Sequence, residues 1–248
     1  MGNIFTVIFY QPILNLLVFL YNTVSFQDLG LAIILLTIII KLIFWPLGQK
    51  SIKSQKELQD LQPKLEELKQ KYGDDKVGLS QATMDLYKES QINPFSSCLP
   101  LLIQFPFLIA VYQVFRDGLS NKLDLIYPFI TKPEVINTFS LGFLDLSQPN
   151  VYLAILAGLA QFWQAKMTVT RRAEVKTEGA KDENMAAIMN KQMLYFMPAL
   201  TIFIGLSLPG GLTFYWLVLT LLTAIQQLFV FKKKPSETPK VVEGEIVK

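Results

Sequence analysis

The stretch L31-A-I-I-L-L-T-I-I-I-K-L-I-F-W-P-L47 is apolar at almost every position, yet it carries Lys41 two-thirds of the way along. An apolar run of this length has the character of a transmembrane helix. An ammonium group at membrane depth costs about 2.5–3.5 kcal/mol on insertion scales and normally faces protein or a water-filled cavity. The reading of Lys41 therefore decides between a passive membrane protein and one with a polar site inside the bilayer.

The rest of the chain agrees with a membrane setting. Of 248 residues, 51% are hydrophobic and only 17% charged, against about 25% charged in a typical soluble domain. The apolar residues come in long blocks, at 29–47, 97–115, 151–167, 193–208 and 212–231. At 1.5 Å per residue such blocks cover about 24–30 Å, the third and fourth being the shortest. Short spans favour local thinning of the bilayer. The expected fold is an all-α integral membrane protein with five transmembrane helices.

Several function classes drop out. The single cysteine, Cys98, excludes an intrachain disulfide and a cysteine-cluster metal site. Histidine is absent, which removes the commonest general base and metal ligand. No cofactor and no metal are expected, and the net charge of +3 gives no signal for nucleic acid. The opening M-G-N-I-F-T lacks the basic region and cleavage site of a secretory signal peptide.

Lys and Arg sort the connections. Nineteen of the 23 lie between the first and second blocks, between the third and fourth, or in the tail; only Arg116, Lys122 and Lys132 fall on the other side. The positive-inside rule then places 48–96, 168–192 and the C-terminus in the cytoplasm of a multi-pass protein. Residues 232–248 read as a basic, disordered tail. Residues 1–28 carry no Lys or Arg, and Gln11, Asn15 and Asn22 form one polar stripe on an otherwise apolar segment. That pattern suggests an N-terminal amphipathic helix lying on the extracytoplasmic surface, with a sixth span as the alternative.

Segment 50–92 differs in kind. It mixes eight lysines with eight acidic residues, and Leu58, Leu61, Leu65, Leu68 and Tyr72 give one apolar face. Gly73 is a natural stop and Ser80 a possible cap for a second helix, while Pro63 marks a kink or restart. The expectation is a helical hairpin projecting into the cytoplasm.

On a straight helix Thr37 and Trp45 lie one turn either side of Lys41. The last block carries its own stripe, Thr213, Trp216, Thr220, Thr223 and Gln227, while Gln161 and Gln164 or Gln104 and Gln113 mark two others. Any one stripe is ordinary helix-packing glue, and Lys41, about 9 Å from Leu47, could snorkel to the surface. Several stripes in one small bundle, with no carboxylate in any block, point instead to a hydrated groove around a lone cation. A Ser-His or paired-aspartate hydrolase lacks its residues here, so the protein is not read as an enzyme. A small transporter or channel with an intramembrane lysine is the rival reading; it would need inverted repeats or broken helices.

The segment N93-P-F-S-S-C-L-P-L-L-I-Q-F-P-F-L-I-A-V-Y112 resembles the second core span of the YidC/Oxa family of membrane protein insertases. Y72-G-D-D-K76 and L86-Y-K-E89 look like that family's cytoplasmic hairpin, and L208-P-G-G-L-T-F-Y-W216 with I225-Q-Q227 like its last span. The resemblance implies a short bacterial form: an N-terminal helix over 1–28, a core over 29–231 with the hairpin at 50–92, and the tail. It implies a chaperone-like insertase of the cell (inner) membrane, working without nucleotide. Its groove, open to the cytoplasm, would involve Lys41, Thr37, Trp45, Gln104, Gln161, Gln164, Tyr215, Trp216 and Thr220. Lys41 stands where the family usually has arginine, which keeps the charge but not the planar donor fork. The implied partners are nascent membrane proteins and the lipid bilayer, with the ribosome, targeting factors and the Sec translocon as further candidates.

Overall fold

A computed structural model describes residues 3–73, 75–93, 99–118, 123–168 and 192–232. Cys98, the start of the 93–112 motif, nearly all of the 168–192 connection and the tail beyond Lys232 lie outside the described residues. The described chain is mostly helical. Helix α1 (Asn3–Phe5) runs through a π-helical stretch, Thr6–Tyr10, into α2 (Gln11–Thr23); α3 (Leu29–Ile43) and α4 (Trp45–Asp60) follow. Then come α5 (Gln62–Tyr72), α6 (Lys76–Glu89), α7 (Leu99–Gln113), α8 (Val151–Thr168), α9 (Met197–Gly205) and α10 (Gly210–Lys232).

Among the described residues, Thr6–Thr23 and Gly210–Phe231 are each long and apolar enough to cross a membrane; α3 with α4 makes a third candidate if that bent pair counts as one. The bend is 72° and falls at Phe44, so the apolar block at 29–47 is not one straight helix. Its cause is Pro46. Proline has no N–H to donate and its ring collides with the carbonyl four residues back, so the helix stops and restarts with proline in its first turn.

The same logic shapes the polar helices. Pro63 sits in the first turn of α5, and Gly73, with φ of 51°, ends it. Helix α6 then begins at Lys76, capped by Asp75, whose side chain accepts from the Gly78 N–H. Ser80, the expected cap, lies inside the helix instead. Helices α5 and α6 pack together, with Leu61 and Leu65 buried and Leu58, Leu68 and Tyr72 half-buried.

The hydrophobic core lies between α2, α3, α7, α10 and the loop 123–146. Phe107 of α7 takes the ring of Phe9 edge-on at 5.3 Å and that of Phe44 at 5.0 Å. The Gln11–Asn15–Asn22 stripe is not turned to solvent. Gln11 and Asn15 donate to the Leu125 carbonyl, Asn15 also accepts from the Tyr127 N–H, and Asn22 donates to the Thr131 carbonyl. A loop's main chain thus occupies the face that the sequence pattern assigns to water.

A two-stranded antiparallel hairpin, β1 (Phe139–Ser140) and β2 (Leu144–Asp145), rests on the start of α3. Asp28 caps α3 by accepting from the Leu31 N–H at 2.9 Å, and it also accepts from the Ser140 hydroxyl at 2.8 Å and the Leu141 N–H at 2.7 Å. Partial burial alone would raise the Asp28 carboxyl, but these donors, with the Gly30 N–H, outweigh it and hold the group below its ordinary value. On the other flank, α8 packs on α9 and α10. A side chain at Gly158 would overlap Ile202 and come within 3.0 Å of the Pro198 carbonyl, so α8 and α9 touch backbone to backbone there.

Two outcomes follow from this packing. Gly158→Leu is expected to cost about 1–3 kcal/mol, read as a lower Tm in detergent, while Leu159→Ala on the exposed side of the same turn changes little. Because the folded Asp28 carboxyl is lowered, its contribution is complete above the unfolded value, about 4, and is lost as pH falls through the folded one. Asp28→Asn should therefore lower Tm at pH 7, and the gap to the parent should close as the pH is taken toward 3.

Candidate functional site

Lys41 lies on α3 just ahead of the bend and is half-buried. Its Nζ donates to the Thr223 hydroxyl of α10 at 2.8 Å, and among the described residues no carboxylate pairs with it. Thr223 spends its own proton on the Leu219 carbonyl, at 2.7 Å, so its oxygen lone pairs face the ammonium. A lysine has three donors, so one neutral hydroxyl leaves donor capacity for a charged group or for water.

The expected neighbours divide into those that approach Lys41 and those that do not. Thr37 shares its helix face but is fully buried, its hydroxyl donating to the Ile33 carbonyl at 2.6 Å. Trp45 follows the 72° bend, which breaks the one-turn register with Lys41, and it is partly exposed as the first residue of α4. Gln104 on α7 donates to the Tyr215 hydroxyl at 2.7 Å, and Tyr215 is fully buried in the core. Thr220 is buried and Trp216 half-buried, both on α10. Gln161 accepts from the Thr201 hydroxyl, which joins α8 to α9. Gln164 is half-buried, and its main-chain carbonyl accepts from Thr168.

Helix α10 is the common element. From one end to the other its polar side chains meet α7 through Tyr215, α3 through Thr223, and α4 and α8 through Gln227, whose amide donates to Gln55 and Thr168, each at 3.4 Å. Gln226 packs against Gly48, where any added Cβ would touch its amide at 3.4 Å. Both polar atoms of that buried amide lack a partner among the described residues. Buried amides without partners are costly, so this end of the bundle favours water or other polar groups.

Thr223 and Gln227 belong to the stripe visible in the sequence. Thr201 and Gln55 do not stand out there, and Gln226 does so only within I225-Q-Q227; the close approach of Gly48 gives it its structural place. A cleft of about 440 Å³ lies lower, lined by Lys56, Gln59, Asp60, Pro63, Met167 and Phe231, and does not include Lys41. Among the described residues no group of His, Cys, Asp and Glu could hold a metal ion.

The family described as 60Kd inner membrane protein matches residues 19–237. The chain is 40% identical over 225 residues to the protein named Membrane protein insertase YidC of Syntrophus aciditrophicus, covering 90% of this chain and 36% of that one. It is 38% identical over 229 residues to the protein of the same name from Geotalea daltonii, covering 91% and 38%. These two are far longer, and the chain spans little more than a third of them. The Fusobacterium nucleatum protein of that name is 36% identical over 227 residues, which cover 90% of this chain and 97% of that one. A bent apolar helix with a lone lysine, bonded to the polar stripe of a membrane-length helix, thus comes with a match over nine-tenths of the chain, and the chain belongs to the YidC membrane protein insertase family.

Proposed function

We propose that this chain is a membrane protein insertase that moves apolar segments of nascent proteins from a hydrated groove, open to the cytoplasm, into the lipid bilayer without nucleotide hydrolysis. The observation that carries the reading is Lys41, whose ammonium meets a neutral hydroxyl in an otherwise apolar helix. A hydrogen bond between an ion and a carboxylate is roughly twice as strong as a neutral one. An acidic group near the end of an incoming segment would therefore displace Thr223, and Thr223 would keep its bond to Leu219. Trp216 and Thr220 lie along the same helix on the N-terminal side of Thr223, and the Gln226–Gln227 amides on its C-terminal side.

The energetics suit such a role. Each unsatisfied backbone group costs several kcal/mol in hydrocarbon, so a wet path over part of the bilayer lowers the barrier to passage. The membrane potential adds about 2.3 kcal/mol per charge per 100 mV. Partitioning of the apolar segment into lipid supplies the remainder, and no bond-making chemistry is required.

The proposed topology places α3, α7, α8, the helix ending at Gly205, and α10 across the inner membrane, with the C-terminus and helices 50–92 in the cytoplasm. The nineteen-to-three division of Lys and Arg supports it. The C-terminal end of the N-terminal helix then lies on the extracytoplasmic side, where Asn22 holds the loop at Thr131, while its start reaches Phe107 inside the bundle. Helices α4 to α6, through the half-buried Leu58, Leu68 and Tyr72, are the candidate surface for first contact with nascent chains. The ribosome, targeting factors and the Sec translocon are candidate partners for the same cytoplasmic side.

Reconstituted vesicles and a single-span substrate with an acidic N-terminal segment test the reading by protease protection. Lys41→Ala should reduce insertion at least about tenfold, equivalent to ~1.4 kcal/mol, while Lys41→Arg retains it. Full insertion by Lys41→Ala, at equal protein level, would sink the reading. Photo-crosslinkers on a stalled substrate should capture positions 41 and 216 but not 37, whose side chain is enclosed by protein.

A further inference from the structure

The hairpin that rests on α3 carries apolar side chains on its outside. Its sequence, F139-S-L-G-F-L144, has no charge, and its one hydroxyl, Ser140, is buried and donates to Asp28. The tip is apolar and open: Leu141 is 68% exposed and Phe143 76%, and Phe26, in the turn before Asp28, is 93% exposed.

The backbone at both turns is unusual in the same way. Phe26 and Leu141 have φ of 53° and 52°, a left-handed conformation that bulky side chains rarely adopt. Such conformations persist only where the surroundings enforce them. Here the enforcing contacts are the bonds from Leu141 and Ser140 to Asp28 and the absence of a side chain at Gly30, where a Cβ would overlap Ser140. Two strained turns hold three large apolar groups away from the protein.

Their surroundings name the occupant. Helix α3 begins at Leu29, directly beneath the hairpin, and its apolar surface continues from there with Leu31 exposed. The hairpin tip therefore extends the lipid-facing surface of a spanning helix at the level where that helix meets the interface, the depth at which membrane proteins concentrate aromatic side chains. We propose that the Leu141-Gly142-Phe143 tip, together with Phe26, inserts into the bilayer leaflet at the start of α3 and, through Asp28, fixes the depth at which α3 holds Lys41. The inference rests on the topology above only in naming that leaflet the extracytoplasmic one.

Spin labelling in a Cys98→Ser background tests it on the whole chain, in vesicles of phosphatidylethanolamine and phosphatidylglycerol. A nitroxide on Phe143→Cys should collide several-fold more with oxygen than with a water-soluble nickel chelate. A nitroxide on Gln148→Cys, in the same loop and exposed, should show the reverse. Nickel access at 143 equal to that at 148 would overturn the insertion and point to a protein partner for the tip. A second label on Leu42→Cys, which is exposed beside Lys41, reads the depth of α3. With Leu141→Asp and Phe143→Asp together, that depth should shift by up to a helical turn, ~5 Å, while Phe143→Leu leaves it in place. An unchanged depth in the doubly acidic variant would overturn the link to Lys41. Neither measurement reads substrate insertion, so the result stands apart from the fate of the insertase reading.

Discussion

The hydrogen bond from Lys41 to Thr223 ties the charged helix to the longest one. A cation taken from water into an apolar slab needs polar company, and the usual solution, a carboxylate, would neutralise it and lock it. A threonine hydroxyl does less. It orients the ammonium and satisfies one of three protons, and among the described residues no carboxylate balances the charge. Among the described residues the ammonium keeps donor capacity beyond its one hydroxyl partner, which is what the proposed attraction of acidic groups on other chains requires.

Around that contact the fold separates two kinds of constraint. One is steric: Gly158 against Ile202, Gly211 against Phe115 and Gly30 against Ser140 are places where a side chain packs directly on a glycine and leaves no room for a Cβ. The other is polar: side-chain amides and hydroxyls reach between helices or hold a loop, as Gln104 does with Tyr215 and Asn15 with the main chain of 125–127. In lipid the hydrophobic effect does not drive helices together, so packing of small residues and hydrogen bonds must do it. Both are present, and the α8–α9 pair carries the two together, Gly158 against Ile202 and Gln161 with Thr201.

Much of the helix layout is legible in the sequence because apolar blocks and helix breakers act locally. The blocks at 151–167 and 212–231 became Val151–Thr168 and Gly210–Lys232, and Gly73 ended its helix as a positive-φ residue. Pro46 sat in plain view at the end of the opening stretch, and it moved Trp45 out of register with Lys41. Other features depend on what arrives from far along the chain. The spacing of Gln11, Asn15 and Asn22 shows that they share a face, but not that a loop more than a hundred residues away supplies main-chain partners for it. Asp75 took the cap in place of Ser80 because the chain re-enters helix directly after the Gly73 turn, a choice between two acceptable caps that composition does not rank. Thr201 as the partner of Gln161 needed the pairing of α8 with α9 to be known first.

The ladder on α10 has a mechanical side. Its rungs at Tyr215, Thr223 and Gln227 attach to different neighbours, so the helix works as a shared axle. Sliding it lengthwise by one turn would break all the rungs together, a concerted loss. Swinging a single neighbour aside breaks only that neighbour's rung and leaves the others to hold the axle in line. The bundle is therefore stiff against shear and compliant toward sideways parting, and sideways is the direction in which lipid lies.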